Sequence, residues 1–247
     1  MKEEFIKWYT NYLSRDFEMM VYGHSGYPII LFTTSHGRFY EHKDFGLIDT
    51  VAGMLDEGLI KIYCPDSINQ QGLYNKSIHP ADRVKTQIAY ENMIAGDVMK
   101  FAMDSTGFGK VALAGFSFGG YHAFNFAFKH PDKVGYLFSM SGAFDIKSFL
   151  DGYYDDNCYF NNPPDYLQGL NDENVLNKIR QIGIVLGVAE IDGCKDENFR
   201  MSELLNSKGI KHWLDFRMGT EHDWPTWRDR FPQYISLINE VKEKIGS

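Results

Sequence analysis

A serine flanked at two residues' distance by glycines, Gly115-Phe116-Ser117-Phe118-Gly119, follows the apolar run KVALAGF (110–116) and precedes a stretch of helical spacing that stops at Pro131. A serine hydroxyl attacks poorly until a base takes its proton. A sharp strand-to-helix turn can lift such a hydroxyl above the sheet edge, and glycines at the minus-two and plus-two positions relieve the crowding the turn creates. The same turn aims the Phe118 N–H and the start of a helix at one point, where an oxyanion could be held. The pattern alone is weak. Its position between a β-rich run and a helical stretch makes Ser117 the expected nucleophile.

A base and an acid must come from elsewhere in the chain. Of the eight histidines, His122, His130, His212 and His222 follow Ser117. The first two fall on the helix after the serine and point away from it, and His212 opens a strand-like stretch. His222, in MGTEHDWPTW, falls in a loop before the last helix, which makes it the expected base. The acid is sought after the preceding strand, in IGIVLGVAEIDGCKDEN, where it can orient the imidazole and offset its developing charge. Asp192, at a turn before Gly193, is favoured. Glu190 is the alternative within that segment, Asp196 reads as a helix-start charge, and Asp145 stands after the strand before.

The loop after PIILFTT reads SHGRFYEHKDFG, and the backbone N–H of Gly37 or Arg38 is the expected second oxyanion donor. His36, Tyr154 and Trp224 are candidate substrate contacts. Tyr154 belongs to the aromatic- and amide-rich stretch GYYDDNCYFNNPPDYLQ (152–168), whose faces suit a sugar or an aromatic alcohol. Ordinary packing would account for the same rings.

These residues need a scaffold. PIILFTT (28–34), LIKIYC (59–64), KVALAGF, KVGYLFSM (133–140) and IGIVLGV (182–188) are short apolar runs that read as buried strands. Helical spacing falls near 46–57, 81–105, 118–130, 196–208 and 225–244. The alternation predicts an α/β fold, a mostly parallel sheet with helices on both faces. DFEMMVYG (16–23) is expected as an antiparallel edge hairpin with 28–34. The whole chain reads as one domain, with an insertion at about 143–181 that forms either a pocket wall or a packed surface excursion.

Composition narrows the partners. The 247 residues are 44% apolar, enough for a large core, and 33 acidic against 25 basic residues give a net charge of −8. With no basic block, neither nucleic acid nor an anionic membrane surface is an expected partner. No apolar stretch approaches the roughly 20 residues of a membrane span, and the N-terminus does not read as a secretory signal. Cys64, Cys158 and Cys194 suggest neither a disulfide framework nor a CxxC metal site, so a reduced, cytoplasmic setting is the default. No cofactor is implied, and homo-oligomerisation is left open.

The chain resembles the esterase family of α/β-hydrolases that includes enterochelin and feruloyl esterases, S-formylglutathione hydrolase and mycobacterial mycolyltransferases. TSHGRFYEHKDFG is similar to that family's oxyanion loop, GFSFGGYHAFNFAFKHPDKVGYLFSMSG to its nucleophile elbow, AEIDGCKDENFRMSELLNSKGIKHWLDF to its acid segment and GTEHDWPTW to its histidine loop. The resemblance implies the α/β-hydrolase fold with Ser117 as nucleophile, Asp192 as acid and His222 as base. It also implies backbone oxyanion donors at Phe118 and at Gly37 or Arg38. The expected activity is hydrolysis of a small-molecule carboxylic ester through an acyl-enzyme. The alternatives are acyl transfer on the same triad and a non-catalytic binding module. Phe on both sides of Ser117 departs from relatives with smaller neighbours, and a bulky Phe118 implies a narrowed acyl site.

Overall fold

The computed structural model describes residues 1–239. Eight strands form one sheet: β1 (Glu3–Thr10), β2 (Arg15–Tyr22), β3 (Tyr27–Phe32), β4 (Ile60–Pro65), β5 (Val111–Phe116), β6 (Val134–Met140), β7 (Gly183–Ile191) and β8 (Trp213–Glu221), in the order β1-β2-β4-β3-β5-β6-β7-β8. From β4 to β8 every pairing is parallel. The period-two alternation of β3 explains why the sheet is covered on both faces. Ile30 and Phe32 enter the core formed with the helices Pro80–Met93, Met99–Thr106, Phe118–Lys129 and Lys195–Ser207, while Ile29 and Leu31 enter the opposite core with Trp227, Phe231 and Ile235 of the helix Trp224–Ile235.

The antiparallel hairpin is present, but its partners differ from expectation. Segment 16–23 does not pair with 28–34. It forms the hairpin with β1 and pairs antiparallel with β4 on its other side. β3 is buried along its whole length between β4 and β5 and offers no free edge. β1, in contrast, is largely solvent-facing, with half-buried Ile6 and Trp8 alternating against exposed Phe5, Lys7 and Tyr9, which suits a sheet margin.

The helix expected at 81–105 runs from Pro80 to Thr106 with a π-helical turn at Ile94–Val98. The segment expected at 46–57 divides into a 3₁₀ turn, Ile48–Val51, and the short helix Ala52–Asp56. The helix expected at 225–244 spans Trp224–Ile235 among the described residues, and residues 240–244 lie outside them. The 143–181 insertion carries the short helices Asp156–Tyr159, Pro163–Gly169 and Glu173–Ile179. Among the described residues no helix is long and apolar enough to cross a membrane.

Candidate active site

Ser117 stands between the last residue of β5 and the first of the helix Phe118–Lys129, with φ 55° and ψ −120°. A non-glycine residue with positive φ costs on the order of 1–3 kcal/mol and persists only where its surroundings over-determine it. Here they do. The Ser117 N–H donates to the Met140 carbonyl (2.9 Å), and its own carbonyl accepts from Gly120, Tyr121 and Ala143. A Cβ at Gly119 would lie 2.5 Å from the Thr33 carbonyl oxygen and 2.6 Å from that of Phe32, and a Cβ at Gly115 would overlap the Gly119 carbonyl. Both glycines are therefore set by backbone passing too close for any side chain. As the first helical residue, Phe118 presents an N–H that no intrahelical carbonyl can take.

Asp192 and His222 occupy the loops at the carboxyl ends of β7 and β8. His222 Nδ1 donates to Asp192 Oδ1 at 2.7 Å, and the His222 N–H donates to the Ile191 carbonyl at 3.0 Å. The Asp192 side chain is fully buried, while 28% of the His222 side chain is exposed. The imidazole is thus presented from above a concealed carboxylate. Burial pushes the Asp192 carboxyl up, but hydrogen bonds from His222, Ser141 and the Cys194 N–H outweigh it, and its pKa lies below the ordinary aspartate value. The Trp227 ring packs edge-on to His222 (5.3 Å), lies 5.1 Å from the ring of Phe116, and brings its Nε1 to Ser141 Oγ (3.5 Å). Trp227 therefore wedges the histidine loop against the residue that precedes Ser117.

The other titratable groups have separate occupations. Glu190 accepts from the Gly219 N–H (2.7 Å) and Asp145 from the Lys147 N–H (3.0 Å), while Asp196 sits in the first turn of Lys195–Ser207. Glu197 accepts from the N–H groups of Phe144 (2.7 Å) and Asp145 (3.1 Å). His130 meets Glu91 (2.9 Å) and His212 meets Ser202 (2.6 Å). His122 is buried, and desolvation pushes its imidazole down to about 3. This neutral ring accepts from Gln87 at Nδ1 (3.2 Å) and donates from Nε2 to Asn69 Oδ1 (2.9 Å).

Asn69 in turn donates to the carbonyls of Thr34 (3.3 Å) and Ser35 (3.1 Å) in the loop after β3. In that loop the Gly37 N–H closes a turn onto the Thr34 carbonyl at 3.2 Å, which leaves it poorly placed to donate elsewhere. The Arg38 N–H and, unforeseen in the sequence, the N–H groups of Ser35 and His36 have no acceptor among the described residues. The Arg38 guanidinium is drawn outward to Asp66 and Glu18.

The candidate substrate contacts divide. His36 is exposed, hydrogen-bonded to Gln70, and edge-on to Tyr74, whose ring packs against Phe118. Tyr154 gives its hydroxyl to Asp165 within the insertion. Trp224 stacks on Phe45 (4.5 Å) and braces Phe116 and Trp227. Phe118 itself is only 1% exposed, packed among Tyr74, Tyr121, His122 and Phe149. Its bulk is absorbed by that cluster rather than projecting into an acyl site. Phe149 belongs to the 143–181 insertion, which therefore reaches the turn at Ser117 through this ring.

Among the described residues, Asp192, Cys194 and His222 are a cluster whose ligand atoms converge, all within 4.8 Å of one another. Burial, with Asp192 and Glu197 nearby, pushes the Cys194 thiol up to about 12, so a metal there would have to displace its proton.

A family model described as the alpha/beta hydrolase fold matches residues 74–184. The chain has that fold. Among solved structures it is similar to a ferulic acid esterase (16% identity, TM-score 0.77, 97% of this chain and 98% of that one). It is likewise similar to an S-formylglutathione hydrolase from Staphylococcus aureus (11%, 0.65, 97% and 98%) and to MPT51 from Mycobacterium tuberculosis (15%, 0.72, 98% and 98%). No curated protein sequence gives a significant match.

Proposed function

We propose that the protein is a serine-dependent carboxylic ester hydrolase working through an acyl-enzyme. The observation that carries this reading is the 2.7 Å hydrogen bond from His222 to the buried Asp192, at the same sheet edge as a serine held at positive φ. In the proposed cycle His222 Nε2 takes the Ser117 proton as Oγ attacks the ester carbonyl, and Asp192 holds the tautomer and stabilises the imidazolium. The oxyanion is received by the Phe118 N–H and by a free N–H of the loop after β3. His222 then protonates the leaving alcohol. Water, activated by the same imidazole, releases the acid and restores Ser117.

The structural relatives support the reading, since their names describe a ferulic acid esterase and an S-formylglutathione hydrolase. The substrate we propose is a small-molecule ester, with His36 and Tyr74 at the mouth of the site. Turnover of p-nitrophenyl esters by wild type and Ser117→Ala tests it. The variant should lose on the order of 10⁶-fold in kcat, the scale seen when a triad serine is removed. Near-normal turnover by a folded Ser117→Ala protein would remove the assignment. Free acid as product, unchanged by added alcohols, would separate hydrolysis from acyl transfer.

A further inference from the structure

Glu41 belongs to no part of the proposed Ser–Asp–His set, yet it is only 6% exposed and spends both carboxylate oxygens on one residue of the loop after β3. Oε1 accepts from the Thr34 N–H at 2.6 Å and Oε2 from the Thr34 hydroxyl at 3.0 Å. A Cβ at Gly37 would overlap the same carboxylate, so the loop folds closely around it. On the loop's other side, the Phe32 and Thr33 carbonyls press against Gly119 of the elbow. The segment between these two fixed points contains the free Ser35 N–H.

Burying a carboxylate is unfavourable unless something is gained by its hydrogen bonds, and no Lys or Arg pairs with this one among the described residues. The groups around it do not supply a positive charge. His42 Nε2 is 4.0 Å away on the same turn, but burial keeps that imidazole neutral. Asp66, beyond β4, pushes the Glu41 carboxyl further up, and Cys64 at the end of β4 is a buried thiol that stays protonated. Desolvation dominates and raises Glu41 to about 7, opposed by its hydrogen bonds to Thr34. What Glu41 gains, it gains from Thr34 alone.

We propose that Glu41 is a positioning residue: its carboxylate fixes the loop from which the second oxyanion N–H comes, at the register the nucleophile elbow requires. The inference rests on the reading of Ser117 as nucleophile. An acceptor lost here leaves the Phe118 donor intact and lets the other wander, which affects the transition state more than substrate binding.

The test is steady-state turnover of a p-nitrophenyl ester, together with the affinity for phenylboronic acid, which forms a tetrahedral adduct on an activated serine. For Glu41→Ala, kcat should fall about 10- to 100-fold, below the 10²–10³ cost of deleting an oxyanion donor outright. KM should stay within about threefold, and boronate affinity should weaken in step with kcat. Glu41→Gln, which keeps an acceptor for the Thr34 N–H, should restore most of the loss. Should Glu41→Ala fail to fold, Thr34→Val, which removes only the hydroxyl, should show the same split at smaller size. Unchanged kcat in folded Glu41→Ala, a loss confined to KM, or a Gln variant as impaired as Ala would overturn the proposal. A wild type that turns over no ester overturns this proposal and the reading of Ser117 together. An active wild type indifferent to Glu41 overturns this one alone.

Discussion

Two loops of the sheet's carboxyl edge meet where the Phe32 and Thr33 carbonyls press against Gly119, and different forces hold them. The turn at Ser117 is fixed by backbone: Gly115 and Gly119 sit where carbonyl groups leave no room for a Cβ, and the Ser117 peptide is tied to Met140 and Ala143. The loop after β3 is fixed by polar side chains, Glu41 from seven residues on and the others from residues 66–69. Glu41 grips Thr34, Asn69 grips the Thr34 and Ser35 carbonyls, Ser67 donates to the Gly37 carbonyl at 3.1 Å, and Asp66 accepts from Arg38. The first device is steric and made of backbone. The second is made of polar side chains, one of them a buried carboxyl.

That contrast can be broken deliberately. The largest effect after removal of Ser117 or His222 should come from Asp192→Asn, which leaves the shape of the buried partner but upsets the imidazole tautomer. A loss of about 10⁴-fold in kcat is expected, the scale known for this change in serine proteases. An unaltered rate would shift the orienting role away from Asp192.

Next come two matched glycine substitutions. Gly119→Ala drives a methyl into the Phe32 and Thr33 carbonyls, which are backbone and cannot swing aside. Gly37→Ala drives one into the Glu41 carboxylate, a side chain that can. Turnover should therefore drop at least about 10²-fold in the first, as displacement of reacting groups by an ångström does. The second should lose only about 10-fold, through the same loop as Glu41→Ala. Equal losses measured on folded proteins would erase the distinction between the two loops.

The smallest effect is one of stability. The Glu41 carboxyl is held near 7 in the fold, above its ordinary value of 4.5. Between those values the folded state keeps a proton that the unfolded chain releases, so this group's contribution to stability falls as pH rises from about 4.5 to about 7. At about 1.36 kcal/mol per unit the penalty above pH 7 is on the order of 3 kcal/mol. Glu41→Gln cannot ionise. Its Tm relative to wild type should rise between pH 4.5 and pH 8, and a pH-independent difference would show that the carboxyl titrates normally.

The same contrast explains what was legible in the sequence. The strand-to-helix turn around Ser117 advertises itself because steric demands fall on neighbouring residues, and a short window of glycines records them. The five buried parallel strands were legible for a similar reason, as continuous apolar runs. β1 was not, because a solvent-facing margin strand carries charged residues and only a faint alternation of Ile6 and Trp8. The hairpin partner was misjudged for want of the same strand. Within the site, the ligands of the loop after β3 come from positions 41, 66, 67 and 69, and the loop is braced further by His122 through Asn69. No periodicity connects these positions. Gly37 was a reasonable donor by position, and only the turn onto Thr34 shows its N–H to be occupied. The burial of Phe118, likewise, depends on Tyr74 and Phe149, which come together only in the fold.

Whether Ser117 is an activated nucleophile is read out by fluorophosphonate labelling. Wild type, Ser117→Ala and His222→Ala would be treated under identical conditions and the adduct located by mass spectrometry. A single adduct on Ser117 is expected, absent from Ser117→Ala and formed far more slowly in His222→Ala. An unlabelled wild type that is demonstrably folded, or an adduct on a residue other than Ser117, would contradict that role.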